Sequence, residues 1–223
     1  MVCTYTLPKA ENYMNLFDLS GRVVVMTGAT GVLGKSISSY LALQGARIAI
    51  LVRERSTLAG EALAEDIRAK GGDAASFVAD VMDKASLEAA YDKVIEKYGR
   101  VDVLMNAAGG NMPAATVSPD KTIFDLDTDA VKTVSDLNLF GTILPTMVFA
   151  KAMAQQKSGS IINFASESAL RPLTRVAGYG VAKSAVVNWT KYLCAEMAMK
   201  FGEGIRVNAI APGFILTDQN RSL

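Results

Sequence analysis

The sequence predicts an α/β fold: one domain on a doubly wound parallel sheet, with helices on both faces in three layers. Three observations carry this. Short strands that are apolar from end to end alternate with helices, and a strand apolar throughout has to be covered on both faces. Glycines stand where helices should stop, just ahead of the next strand. With 223 residues, half of them hydrophobic and a fifth charged, the chain can bury one sizeable core.

The elements follow in order. Residues 1–20 read as an N-terminal extension and 21–223 as the domain. Residues 22–27 form a first apolar strand that runs into a glycine-rich turn, and a helix over 33–44 stops at Gly45. A second strand spans 47–52. Ser56 caps a helix to Lys70, with Leu58, Ala62, Leu63 and Ile67 near one face, and Gly71-Gly72 breaks it. A strand over 74–79, a helix over 85–98 with Gly99 as its stop, and a strand over 101–105 come next. The following helix, 129–153, contains Gly141 and Pro145, which predicts a kink or an earlier end. A strand over 160–165, a helix over 178–200 and a strand over 205–211 complete the alternation. Right-handed crossovers place the ligand crevice at the carboxyl ends of the strands, where their order reverses.

Composition removes several function classes. Lys+Arg 23 against Asp+Glu 22 leaves a net charge of +1, so nothing calls for nucleic acid or an anionic membrane, and any bound anion must be held locally. There is no histidine, which excludes Ser-His-Asp triads and most transition-metal sites; no metal is expected. Cys3 and Cys194 suit a reducing cytoplasm better than a disulfide. Residues 1–20 lack the apolar core of a signal peptide, and no apolar run approaches the ~20 residues of a membrane span.

Each chemistry-bearing motif falls just after a predicted strand. Thr27-Gly-Ala-Thr-Gly-Val-Leu-Gly34 joins strand to helix, where glycines let backbone approach a pyrophosphate and the helix N-terminus supplies N–H groups. The second strand ends at Val52-Arg53, where dinucleotide sites that prefer NAD often carry an acid; Arg53 would instead pair with a 2′-phosphate, which tilts the reading toward NADP. Asp80 either reaches an adenine amino group or begins a turn. Asn106-Ala-Ala-Gly109 offers small residues for close cofactor approach. In Ala177-Gly-Tyr-Gly-Val-Ala-Lys-Ser-Ala-Val186, helical spacing puts Tyr179 and Lys183 one turn apart on one face. That pair alone says little.

Together, T-G-x-x-x-x-x-G, N-A-A-G, Asn138 in Asp136-Leu-Asn-Leu-Phe-Gly141, Ser166, Y-x-x-x-K and P-G-x-x-x-T resemble the short-chain dehydrogenases/reductases, in their single-domain branch. The resemblance covers 21–217 and implies a Rossmann-type fold and a soluble NAD(P)(H)-dependent oxidoreductase. It implies that Tyr179 is the general acid/base and that Ser166 bonds the reacting oxygen. Lys183 would hold the nicotinamide ribose and depress the tyrosine pKa, and Asn138 would bind a water linking Lys183 to solvent. Cofactor contacts are implied for Gly28, Thr30, Gly31, Val32, Leu33 and Gly34 in the first turn, and for Arg53, Asp80 and Val81. They are implied as well for Asn106, Ala107, Ala108 and Gly109, for Tyr179 and Lys183, and for Pro212, Gly213, Ile215 and Thr217. Two positions depart from the branch: the middle glycine is Gly31 rather than residue 32, and Ala107 replaces a second asparagine. Neither removes a reacting group.

Unperturbed tyrosine titrates near 10. An ammonium ~4 Å away at an effective dielectric of ~20 contributes about 4 kcal/mol, enough to bring that value down by up to about three pH units. Within the family, Ala107-Ala-Gly-Gly-Asn111, Arg171-Pro-Leu-Thr-Arg175 and the 213–221 stretch most resemble the D-mannonate oxidoreductase group. That implies D-mannonate/D-fructuronate as substrates, Arg171 or Arg175 on the carboxylate, and Asn111 and Asn220 on hydroxyls. The same chemistry on gluconate, another polyol or a 3-oxoacyl compound is the alternative, as is a non-catalytic nucleotide-sensing regulator. The resemblance also implies a homo-oligomer, dimer or tetramer. It further implies a substrate loop, helix and last strand beyond Thr217, for which only 218–223 remain in this sequence.

Overall fold

The computed structural model describes residues 16–215. Six strands form one parallel sheet in the order β3-β2-β1-β4-β5-β6: β1 Val23–Thr27, β2 Arg47–Val52, β3 Asp73–Val78, β4 Val103–Asn106, β5 Gly159–Phe164 and β6 Ile205–Ile210. Five α-helices connect them: α1 Val32–Leu43, α2 Thr57–Ala69, α3 Lys84–Tyr98, α4 Thr128–Gln156 and α5 Ala177–Phe201. The single-domain, doubly wound α/β prediction holds, with element boundaries within a few residues of those expected. The strand order reverses between β1 and β4, so the crevice opens above Thr27 and Asn106, which are register partners.

Alternation along the central strands divides the core. Val23, Val25, Leu51, Leu104 and Ile161 face one side, under α3, α4 and α5. Val24, Met26, Ile48, Ile50 and Met105 face the other, against α1 and α2. Local chemistry sets the helix ends. Asp83 accepts from the backbone N–H groups of Ala85 and Ser86, and Asp127 from those of Asp129 and Ala130. Gly99, at φ 75°, takes the left-handed turn that closes α3.

Two expectations change. α4 runs unbroken through Gly141 and Pro145. Both are buried, and packing against α3, α5 and the sheet outweighs the one backbone bond that proline removes. α4 is also long and apolar enough to cross a membrane by composition, with mean hydropathy 1.3 over its best window, although no such run was expected. More than half of that window is buried inside the fold, as in the core helix of a globular domain.

Candidate active site

The site begins where β1 meets the loop after β4. Gly28 has φ 68°, and a Cβ there would lie 2.5 Å from the Ala107 carbonyl oxygen, so only glycine fits. A Cβ at Gly34 would run into the Gly28 carbonyl, which is why α1 can start so close to the strand. Thr27 Oγ1 accepts from the N–H groups of Ala107 and Ala108 at 3.1 and 3.0 Å, stitching the two turns together. Gly31 caps α1 with no side-chain bond, leaving the first N–H groups of the helix, which Thr30, Gly31, Val32 and Leu33 surround, pointed at the crevice. An anion fits there.

The neighbouring cofactor candidates divide. Leu33, Ala107, Gly109, Pro212, Gly213 and Ile215 line one continuous cleft of about 320 Å³. Arg53 is exposed just past β2, outside that cleft. Asp80 begins a turn, its Oδ1 accepting from Met82 N–H at 2.9 Å. Val81 is buried, and its Cγ2 lies near Gly141 on α4, so only its backbone can meet a ligand. Asn106 ends β4. Its side chain is fully buried beneath the crevice, with Nδ2 donating to Thr146 Oγ1 and Asn163 Oδ1, both at 2.9 Å. Asn163 Nδ2 continues this network to Thr190 Oγ1 at 2.9 Å, tying β4 and β5 to α4 and α5. Thr217 and Asn220 lie outside the described residues.

Ser166, Tyr179 and Lys183 meet at the floor of the cleft. Ser166 follows β5 and caps a 3-10 turn, Glu167–Ala169; its Oγ accepts from Ser168 N–H at 3.2 Å and is hydrogen-bonded to Tyr179. Lys183 is 4% exposed and donates from Nζ to the Phe164 carbonyl at 2.7 Å. Burial brings its pKa down to about 8. Burial also raises the Tyr179 pKa, against the smaller lowering effect of the Ser166 hydrogen bond. The expected depression by Lys183 is therefore not a property of this arrangement. Nζ lies 5.6 Å from the centre of the Tyr179 ring and is engaged by the β5 carbonyl.

Asn138 is fully buried, and its side chain clamps Gly110: Nδ2 donates to the Gly110 carbonyl at 2.6 Å and to that of Val134 at 2.8 Å, while Oδ1 accepts from Gly110 N–H at 3.1 Å. Both ends of the amide are thus engaged by backbone. The two arginines separate. Arg171 lines the cleft mouth, 80% exposed in its side chain, with Nε 2.9 Å from Glu167 Oε1. Arg175 does not line it; its φ is 76° and its carbonyl accepts from Val117 N–H at 2.9 Å. Asn111 lines the cleft. Sequence reasoning missed Thr27, Glu167 and Ser168, though the adjacency of Glu167 and Ser168 to Ser166 was a usable signal.

Residues 22–223 match the short chain dehydrogenase family. The chain is 40% identical to the uncharacterized oxidoreductase UxuB of Bacillus subtilis, over 92% of this chain and 75% of that protein. It is 36% identical to the D-threitol dehydrogenase of Mycolicibacterium smegmatis, over 91% and 73%. Among solved structures it resembles a Haemophilus protein described as a candidate D-mannonate oxidoreductase, with bound NAD: TM-score 0.85 and 35% identity, covering 92% of this chain and 75% of that one. The chain belongs to the short-chain dehydrogenase/reductase family, and is an oxidoreductase acting on alcohol or ketone groups.

Proposed function

We propose that the protein transfers a hydride between NAD(P)(H) and a secondary alcohol or ketone of a sugar acid, with D-mannonate and D-fructuronate as the pair. The observation that carries this reading is Ser166, Tyr179 and Lys183 on the floor of one cleft whose mouth holds Arg171. The Haemophilus neighbour's description supports the sugar-acid substrate. So does a Beutenbergia cavernae neighbour, described as a candidate gluconate 5-dehydrogenase with bound NADP: TM-score 0.79 and 30% identity, covering 92% of this chain and 77% of that one.

The residues present fit a nicotinamide dinucleotide. The uncapped start of α1 suits its pyrophosphate, and the constraint on Gly28 keeps backbone close to it. Lys183 uses one proton on Phe164 and has others for ribose hydroxyls. Pro212, Gly213 and Ile215 flank the place of the carboxamide. When bound, the cofactor supplies or accepts the hydride. In the reducing direction the Tyr179 hydroxyl donates its proton to the substrate oxygen, and in the oxidising direction the phenolate takes it back. Ser166, hydrogen-bonded to Tyr179 in the ligand-free arrangement, turns its proton to that oxygen when the substrate is in place. Lys183 serves by holding the ribose, and Asn138 by holding Gly110.

Arg53, exposed past β2, supports NADP over NAD. The protein works in the cytoplasm as a homo-oligomer. Phe140 and Met147 on α4 and Val181 and Tyr192 on α5 are 44–68% exposed, apolar surface that a second copy would cover. The test follows nicotinamide absorbance with D-fructuronate and 5-keto-D-gluconate, using NADH and NADPH in turn. Tyr179→Phe should lower kcat by ~10²–10⁴-fold while leaving cofactor affinity near wild type. Retained turnover would remove Tyr179 from its role, and no turnover with either ketone would sink the substrate.

A further inference from the structure

The cleft beside Tyr179 has a polar wall that proton and hydride transfer do not use. Asn111 lies on the loop after β4 and donates from Nδ2 to Thr116 Oγ1 at 2.9 Å. The single hydroxyl proton of Thr116 is directed to the Met112 carbonyl at 3.2 Å. With that proton committed, Thr116 can only accept from Asn111. The amide orientation follows from this: nitrogen toward Thr116, oxygen away from it. Asn111 Oδ1 is buried and has no hydrogen-bond partner among the described residues, and the same holds for Ser168 Oγ. Both residues line the cleft together with Ser166 and Tyr179.

A buried acceptor without a donor is costly, so a ligand that brings a donor is favoured over one that does not. We infer that Thr116 fixes Asn111 Oδ1 as an acceptor in the cleft wall, and that Asn111 with Ser168 selects ketones whose neighbouring carbons bear hydroxyl groups. The inference rests on the oxidoreductase reading above and narrows it. A sugar acid presents an O–H to Asn111 Oδ1. The methylene chain of a 3-oxoacyl compound presents none, and would leave both polar groups desolvated. Thr116 touches no reacting atom; it is a positioning residue.

A matched pair of substrates tests this. 5-Keto-D-gluconate and 5-oxohexanoate share the carboxylate, the chain length and the place of the ketone, and differ in the hydroxyls. The readout is the ratio of their kcat/KM values, with cofactor binding measured separately. Wild-type protein should favour the hydroxylated ketone. Thr116→Val should cut that ratio by roughly 5- to 150-fold, mainly through KM, because the amide is free to turn its nitrogen to the cleft. Thr116→Ser keeps the hydroxyl and should restore the wild-type ratio. A merely structural role for Thr116 would slow both substrates alike and leave the ratio unchanged, which overturns the inference. So does a wild-type ratio near one, and in that case the oxidoreductase reading stands. Cofactor binding with no turnover of either ketone overturns both.

Discussion

Lys183 provides a test that needs no substrate. Its ammonium is enclosed, 4% exposed, with the Phe164 carbonyl as a hydrogen-bond acceptor, and burial brings its pKa from 10.5 to about 8. In the unfolded chain the same group titrates near 10.5. Between those values the unfolded state holds a proton that the native state has released, so stability rises with pH across this window. Below pH 8 both states are protonated and the native state carries the whole cost of the buried charge. At ~1.4 kcal/mol per pH unit the full displacement is worth ~3 kcal/mol, of which ~2 kcal/mol is recovered between about pH 7 and 9.5. The window stops short of tyrosine ionisation, since the raised pKa values of Tyr98 and Tyr179 make stability fall with pH above 10. Urea unfolding of the ligand-free protein, wild type beside Lys183→Met, isolates the effect. The stability difference, wild type minus variant, should rise by ~2 kcal/mol toward pH 9.5. Parallel pH profiles for the two proteins would refute the reasoning.

The other predictions concern the frame around the cleft. Gly28→Ala places a Cβ against the Ala107 carbonyl at φ 68°, so it should lose at least ~1–2 kcal/mol from conformation alone and weaken NAD(H) binding roughly tenfold or more. A wild-type melting temperature and Kd would show that the turn has more room than it presents. Asn163→Ala strips partners from Asn106 and Thr190 inside the sheet–helix junction and should destabilise by ~2–5 kcal/mol in denaturant unfolding. A loss below ~0.5 kcal/mol would mean the network does not hold β5 to α5.

The fold was legible because its signals are local. Apolar strands and glycine stops each declare themselves within a few residues, and helical spacing alone puts Tyr179 near Lys183. The roles of charged and polar side chains were less legible, because they depend on what lies across the fold. Arg171 and Arg175 read alike as carboxylate partners, yet the first lines the cleft and the second, with a left-handed backbone, does not. The side-chain partners of Asn106 and Asn138 were not legible either. Packing puts one into a buried side-chain network and the other onto the Gly110 backbone.

By itself, then, the order of residues determined the α/β alternation, the glycine turn and the Tyr179–Lys183 pairing, all of which follow from short-range sterics and periodicity, while Ser166 joined that pair through the family resemblance. Only tertiary structure decided that Tyr179 is raised rather than depressed, because burial and the direction of the Lys183 Nζ bond are set by β5, not by helix spacing. It alone decided which oxygen of the cleft wall lacks a partner, since that depends on a threonine whose only proton is directed elsewhere.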